Sequence, residues 1–142
     1  MIVTSEEHLP LSLVTLAGDL TKDDVDALGA YYRSLHARGQ RYASLLDVRR
    51  VAVPNAAIRR AFADMSNGFA GEDEKHTVCV ALLLDSVVLV GVVRAVQWFL
   101  RTKTDLRSFS STAEVYGYLS DKLAKEGLVI PPGARAAIEK LS

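Results

Sequence analysis

Few side chains in this 142-residue chain have the types and spacing of a reactive site. The three histidines, His8, His36 and His76, are far apart and match no metal-ligand spacing such as His-x-x-x-His. The one cysteine, Cys79, lies within an apolar run, where a buried and unreactive thiol is expected. No nucleophile elbow or phosphate-binding loop is present. We therefore predict no catalytic residue, no metal and no cofactor, with an enzyme of unknown type as the least favoured alternative.

One group of polar residues is expected at the carboxyl ends of predicted parallel strands. Arg49 and Arg50 follow one strand, and Asn55 and Ser86 stand where two helices begin. Open α/β sheets bind ligands at that edge, and a helix N-terminus beside arginines attracts anions. These four residues are therefore a candidate site for an anion or another small ligand. The alternative is that both arginines are solvated loop charges, with one of them paired to Asp47.

The run 87–100 predicts a helix that is apolar nearly all the way round, which needs cover on both sides. At about 100° per residue, the predicted core face consists of Val88, Leu89, Val92, Val96, Phe99 and Leu100. The predicted outer face consists of Val87, Val90, Arg94, Trp98 and Arg101. Tryptophan and arginine are common hot-spot residues, so we predict a partner contact there. A second interpretation is that the terminal segment 128–141 folds over this face.

Strands and helices alternate along the predicted chain. Apolar and alternating runs predict strands at 2–5, 11–17, 42–48, 77–84 and 106–110. Helix N-caps are predicted at Thr21, Asn55, Ser86 and either Ser111 or Thr112, and a short helix is predicted at 134–141. Gly68 and Gly71, close to Glu72 and Asp73, predict a flexible acidic loop. This order predicts a single-domain α/β protein with a mostly parallel sheet of four to five strands and helices packed on it.

Three local runs carry a resemblance to a known family. The run 13–21 ends a strand in Gly-x-Leu, the run 42–51 carries Asp47 near its end, and Phe-Ser-Ser-Thr-Ala-Glu at 109–114 precedes the last long helix. These runs resemble the STAS family, the domain of bacterial anti-sigma-factor antagonists and of sulfate-transporter tails. The resemblance implies one STAS-like domain over 1–142, with a core at about 11–124 and a C-terminal helical extension at 128–142. It also implies a non-enzymatic regulatory module.

The chain departs from this family at the phosphorylation site. Regulatory members carry Asp-Ser-x-Gly after the central strand, whereas this chain has Val-Pro-Asn-Ala at 53–56 and no serine or threonine in 48–64. Asp85 and Ser86 follow a different strand and lack the glycine, so Ser86 is predicted to cap a helix. Phosphorylation at the usual position is therefore not expected.

Composition and hydropathy argue against nucleic acid as a partner and against a membrane span. Seventeen basic residues balance seventeen acidic residues, so no overall field attracts nucleic acid. The run 87–100 is too short to span a bilayer and contains Arg94, and the N-terminus has no signal-peptide pattern. We therefore predict a cytoplasmic protein with no membrane span.

Two functions remain open from the sequence. The first is a regulatory module that contacts a protein partner, or a second copy in a homodimer, through the outer face of the apolar helix. The alternative is a module that binds a small molecule or a lipid. Its apolar cleft is predicted near Phe62, Met65, Phe69 and Phe99.

Overall fold

The computed structural model describes residues 1–141, so Ser142, the end of the predicted C-terminal extension, lies outside it. The strands are β1 (Ile2–Ser5), β2 (Leu11–Gly18), β3 (Tyr42–Val51), β4 (Thr77–Leu83) and β5 (Asp105–Phe109). The helices are α1 (Lys22–Ala37), α2 (Ala56–Gly68), α3 (Ala70–His76), α4 (Val87–Gln97), α5 (Thr112–Lys125) and α6 (Ala134–Glu139).

All five strands form one sheet in the order β1-β2-β3-β4-β5. The β1 strand is antiparallel to β2, and every other neighbouring pair is parallel. Parallel neighbours need a crossover connection, and helices supply it between β2 and β5. The predicted α/β class with a mostly parallel sheet is therefore confirmed.

Side-chain caps fix where the long helices begin. Thr21 accepts from the Asp24 backbone N–H, and Asp24 accepts from the Thr21 N–H, which is a capping box. Asn55, Ser86 and Ser111 each accept from the backbone N–H three residues ahead. The caps predicted at Thr21, Asn55 and Ser86 are confirmed, and Ser111 rather than Thr112 caps α5.

Helices cover both faces of the sheet, and the two layers differ. The closed face is the side covered by α5 and α6. Its core consists of Leu11, Leu13, Ala43, Leu45, Cys79, Ala81 and Leu83 from the strands, with Val115, Leu119, Leu123, Ala134 and Ile138 from the helices. The cavity face is the side covered by α1, α2 and α4. Its core includes Val14, Leu16, Tyr42, Leu46 and Leu82 from the strands, with Leu28, Tyr32, Leu35 and Leu89 from the helices.

The C-terminal segment packs on the closed face. Ala134 and Ile138 of α6 are buried there, and Leu128, Ile130 and Leu141 pack against the same cluster. The α4 helix lies on the opposite side of the sheet. The interpretation that 128–141 folds over the apolar helix is therefore wrong for the described residues.

Two local predictions need correction. The residues predicted in a flexible acidic loop are helical instead: Gly68 ends α2, and Gly71, Glu72 and Asp73 lie in α3, where Asp73 is only 7% exposed. Arg49 and Arg50 lie within β3 rather than in a loop. The strand continues that far because Arg50 pairs with Ala17 of β2.

Candidate functional site

A cavity of about 190 Å³ lies between the cavity face of the sheet and helices α1, α2 and α4. An engineered cavity of about 150 Å³ is enough to hold benzene, so this one has room for a small apolar molecule. Its strand residues include Leu16, Leu46, Val48, Val51, Val80, Leu82 and Leu106, and its helix residues include Leu28, Phe62, Met65, Leu89, Val92, Val93 and Val96.

The apolar stripe predicted on α2 forms part of this wall. Phe62 and Met65, together with Phe69 just beyond the helix, line the cavity. Phe99 was predicted at the same cleft, but its side chain is 68% exposed and does not line the cavity. The α4 helix ends at Gln97, and Phe99 lies in the turn that follows, where its carbonyl accepts from the Asn67 amide at 3.0 Å.

One end of the cavity is polar and centres on Asp73. The Thr77 hydroxyl donates to Asp73 Oδ1 at 2.6 Å, and the Thr102 hydroxyl donates to Oδ2 at 3.2 Å. His36 Nε2 lies 3.4 Å from Oδ1 and 3.0 Å from the Tyr42 hydroxyl. Both carboxylate oxygens of Asp73 are therefore already occupied by groups of the protein.

Burial and hydrogen bonding oppose each other at this end. Burial acts to raise the pKa of Asp73, but hydrogen bonds from His36 and Thr77 stabilise the carboxylate and lower its pKa overall. Burial raises the pKa of Tyr42, so its phenol stays protonated. The neighbours of Asp73 thus stabilise its ionised form.

The other end of the cavity is marked by Arg59. The cavity runs along β3 from Tyr42, beside Asp73, to Val51, near the loop in which Pro54 lies. Arg59 is half-buried, and its Nη1 donates to the Pro54 carbonyl at 2.9 Å. It makes no ion pair with any residue in 1–141. A guanidinium carries five N–H donors, so most of its donors lack a protein acceptor.

The outward side of α4 is apolar and open to solvent. Val87 is 89% exposed, Trp98 is 86% exposed, and Val88 and Phe99 are also exposed. Arg94 and Arg101 are exposed beside them. We call this set the α4 surface: Val87, Val88, Arg94, Trp98, Phe99 and Arg101.

The rotation of α4 differs from the prediction. Val88 and Phe99 were assigned to the core face and are exposed, whereas Val90 was assigned to the outer face and packs against the core. Leu89 and Val93 face inward, where both line the cavity. Because nearly every residue of this helix is apolar, hydropathy offers only Arg94 and Gln97 as marks of the solvent side, and Gln97 in fact lines the cavity.

Three of the four residues predicted to hold an anion already bond within the protein through their side chains. Asn55 and Ser86 use their side-chain oxygens as caps. Arg49 forms a two-pronged pair with Asp47 at 2.9 Å for both contacts, and also donates to the Leu141 carbonyl. Arg50 is exposed at the end of β3. The pairing of one arginine with Asp47, weighed as the alternative, is present.

Cys79 and the histidines were the other candidate reactive groups. Burial raises the pKa of the Cys79 thiol to about 11, as a buried strand position leads one to expect. The rings of His36 and His76 stack at 6.0 Å, a contact that their wide separation in sequence did not indicate. No group of three potential metal ligands occurs in this part of the chain.

Asp73 and Arg59 are the charged cavity residues that were not predicted from the sequence. Arg59 directly follows Ile58 and precedes Phe62 by three positions, so it borders the apolar stripe of α2. That spacing was available as an indication. No comparable pattern marks Asp73: Thr77 lies only four residues ahead, but Thr102 and His36 come from distant positions in the chain.

No helix within 1–141 is long and apolar enough to cross a membrane. No family model matches the chain, and no curated protein matches it significantly.

Solved structures do resemble the fold. An uncharacterized DUF3478-family protein from Shewanella loihica PV-4 with a SpoIIAA-like fold aligns at a TM-score of 0.59 and 16% identity, over 83% of this chain and 93% of that one. An anti-sigma factor antagonist from Mycobacterium paratuberculosis aligns at a TM-score of 0.51 and 13% identity, over 84% and 94%. Identity this low establishes architecture alone: the chain has the SpoIIAA-like fold of STAS domains, as its local runs predicted.

Proposed function

We propose that this chain is a non-enzymatic regulatory module of the cytoplasm that binds a protein partner through the α4 surface. The observation that carries the proposal is the exposure of Trp98, at 86%, on a helix that also exposes Val87 and Val88. Exposed apolar side chains grouped on one helix favour a binding surface, whereas isolated ones need no explanation. An anti-sigma factor antagonist shares the fold, which is consistent with regulation by protein contact.

The charges beside Trp98 indicate what kind of partner surface would bind there. Arg94 and Arg101 make no ion pair within 1–141. A partner that fits would offer an apolar pocket for the indole ring and carboxylates at its rim. A second copy of the chain is the simplest partner to test.

The test is the solution mass of the purified chain by light scattering, for the native protein and Trp98→Asp. We expect a native dimer that becomes a folded monomer in Trp98→Asp, because a buried carboxylate disrupts an apolar contact. The matched control is Val129→Asp, which alters an apolar side chain 80% exposed outside α4 and should leave the mass unchanged. A native chain that is monomeric at every concentration would contradict self-association through α4.

The cavity favours a second function, the binding of an apolar small molecule. Natural cores are close-packed, so an unfilled apolar cavity of about 190 Å³ leaves room for a ligand. Native mass spectrometry of the gently purified chain tests this function. We expect a bound species of low mass that dissociates on unfolding, and its absence from every preparation, together with failed titrations of apolar probes, would contradict the function.

A further inference from the structure

We propose that the cavity binds a single-chain amphiphile with a carboxylate head, whose head pairs with Arg59 and whose alkyl chain lies along β3 toward Thr77. The proposal deepens the second function above and rests on it. It assigns a ligand class to the cavity and a role to Arg59.

The shape of the cavity favours a chain over a compact ring. Its lining follows β3 from Tyr42 to Val51, nearly the whole length of that strand. The cavity is therefore elongated along that strand. An alkyl chain can follow an elongated cavity and contact its apolar walls along its whole length, where dispersion and burial contribute.

The charges at the two ends set the direction of the ligand. Arg59 and Asp73 are the charged residues that line the cavity within 1–141. Asp73 repels a carboxylate, and its oxygens already accept from Thr77 and Thr102. Arg59 attracts a carboxylate and keeps free N–H donors after its bond to Pro54. An anionic head is therefore stable at only one end, beside Arg59.

The surroundings of Arg59 suit a head group that stays partly in water. Arg59 is half-buried, while Ala52 and Val53 of the adjoining loop are exposed. A carboxylate there keeps part of its hydration while its bonds to the guanidinium are strengthened by the apolar wall. The planar fork of arginine matches the two oxygens of a carboxylate.

The experiment is a calorimetric titration of the full chain with octanoate, octanol and octylamine, which share a chain length and differ in charge. We expect octanoate to bind about tenfold tighter than octanol, as one charge-assisted pair predicts, and octylamine to bind weakest. A higher salt concentration should lower the affinity for octanoate and leave the affinity for octanol unchanged, because salt screens only the ionic pair.

Two neighbouring arginines give a matched pair of variants. Arg59→Gln should reduce the affinity for octanoate about tenfold and leave the affinity for octanol unchanged, because the variant loses only the charge pair. Arg60→Gln alters an exposed arginine that does not line the cavity, and should change neither affinity. Circular dichroism confirms that each variant is folded.

The outcomes separate this proposal from the function on which it rests. If octanol binds and octanoate binds no more tightly, the carboxylate assignment is overturned, while the binding of apolar ligands still stands. The same conclusion follows if octylamine binds most tightly of the three. Equal losses for octanoate and octanol in Arg59→Gln would also overturn it. Failure of all three probes to bind the native chain would overturn both.

Discussion

The two faces of the sheet bury similar side chains but pack them differently. On the closed face, Leu45 and Leu83 meet Val115 and Leu119 with no exposure at all. On the cavity face, Leu46 also comes from the middle of the sheet but borders a void of about 190 Å³. A void forfeits dispersion contacts and lowers stability, so the cavity face gives up packing that the closed face keeps. We interpret the closed face as the stabilising half of the molecule and the cavity face as the binding half.

Adjacent residues of β3 provide the largest test of this comparison. Leu45→Ala removes a leucine that is fully packed on the closed face and should cost about 4 kcal/mol of unfolding free energy. Leu46→Ala makes the same change one residue later, on the cavity face, and should cost about 2 kcal/mol, because its side chain already lacks neighbours on one side. Urea denaturation of both variants measures the difference. Equal losses would show that the cavity face is packed as tightly as the closed face.

A second test asks whether the polar cluster around Asp73 helps to hold the cavity face together. Asp73→Asn replaces a charged acceptor of the Thr77 and Thr102 hydroxyls and should cost about 2 kcal/mol at neutral pH. The exposed neighbour provides the control, since Glu72→Gln should change stability by less than about 0.5 kcal/mol.

The stability difference between the native chain and Asp73→Asn should depend on pH in one direction. The folded-state pKa of Asp73 is lowered, so its charge contributes stability that is complete above the unfolded-state pKa near 3.8. That contribution is lost as the pH falls through the lower folded-state value. The stability gap between the native chain and Asp73→Asn should therefore narrow in acid below about pH 4, in denaturation curves taken at several pH values. A gap that stays constant to low pH would show that the carboxylate charge is not what stabilises the cluster.

The comparison also shows which features the sequence could predict. Element order and helix starts were predictable, because caps such as Thr21 and Asn55 and the apolar strand runs act over a few neighbouring residues. The rotation of α4 was not, since a helix apolar on every side satisfies several rotations equally well. Helix α3 was missed because Gly71 and its acidic neighbours are typical of a loop, and the contacts that bury Asp73 come from other elements.

The candidate site was less predictable than the fold for the same reason. Phe62 and Met65 were placed correctly at the cleft by helical spacing alone. The ends of the cavity depend on Arg59 and Asp73, and their importance follows from their place along a channel built by three helices and the sheet. Local patterns report which side of a helix is buried, but not whether the space beneath it is filled.

Adding one methylene group on each face gives the smallest and most direct test. Val80→Ile adds a methylene on the strand wall of the cavity and keeps the β-branched shape, so it should raise stability by up to about 0.8 kcal/mol. Val115→Ile adds the same group beside a side chain that is fully buried in the closed face, and overpacking there should lower stability by about 1 kcal/mol. Opposite signs in thermal denaturation would support the comparison, because the same atom gains contacts on one side and creates strain on the other. If both variants lost stability, the cavity would be too rigid or too shallow at Val80 to accept even a methyl group, and binding of an alkyl chain there would be contradicted as well.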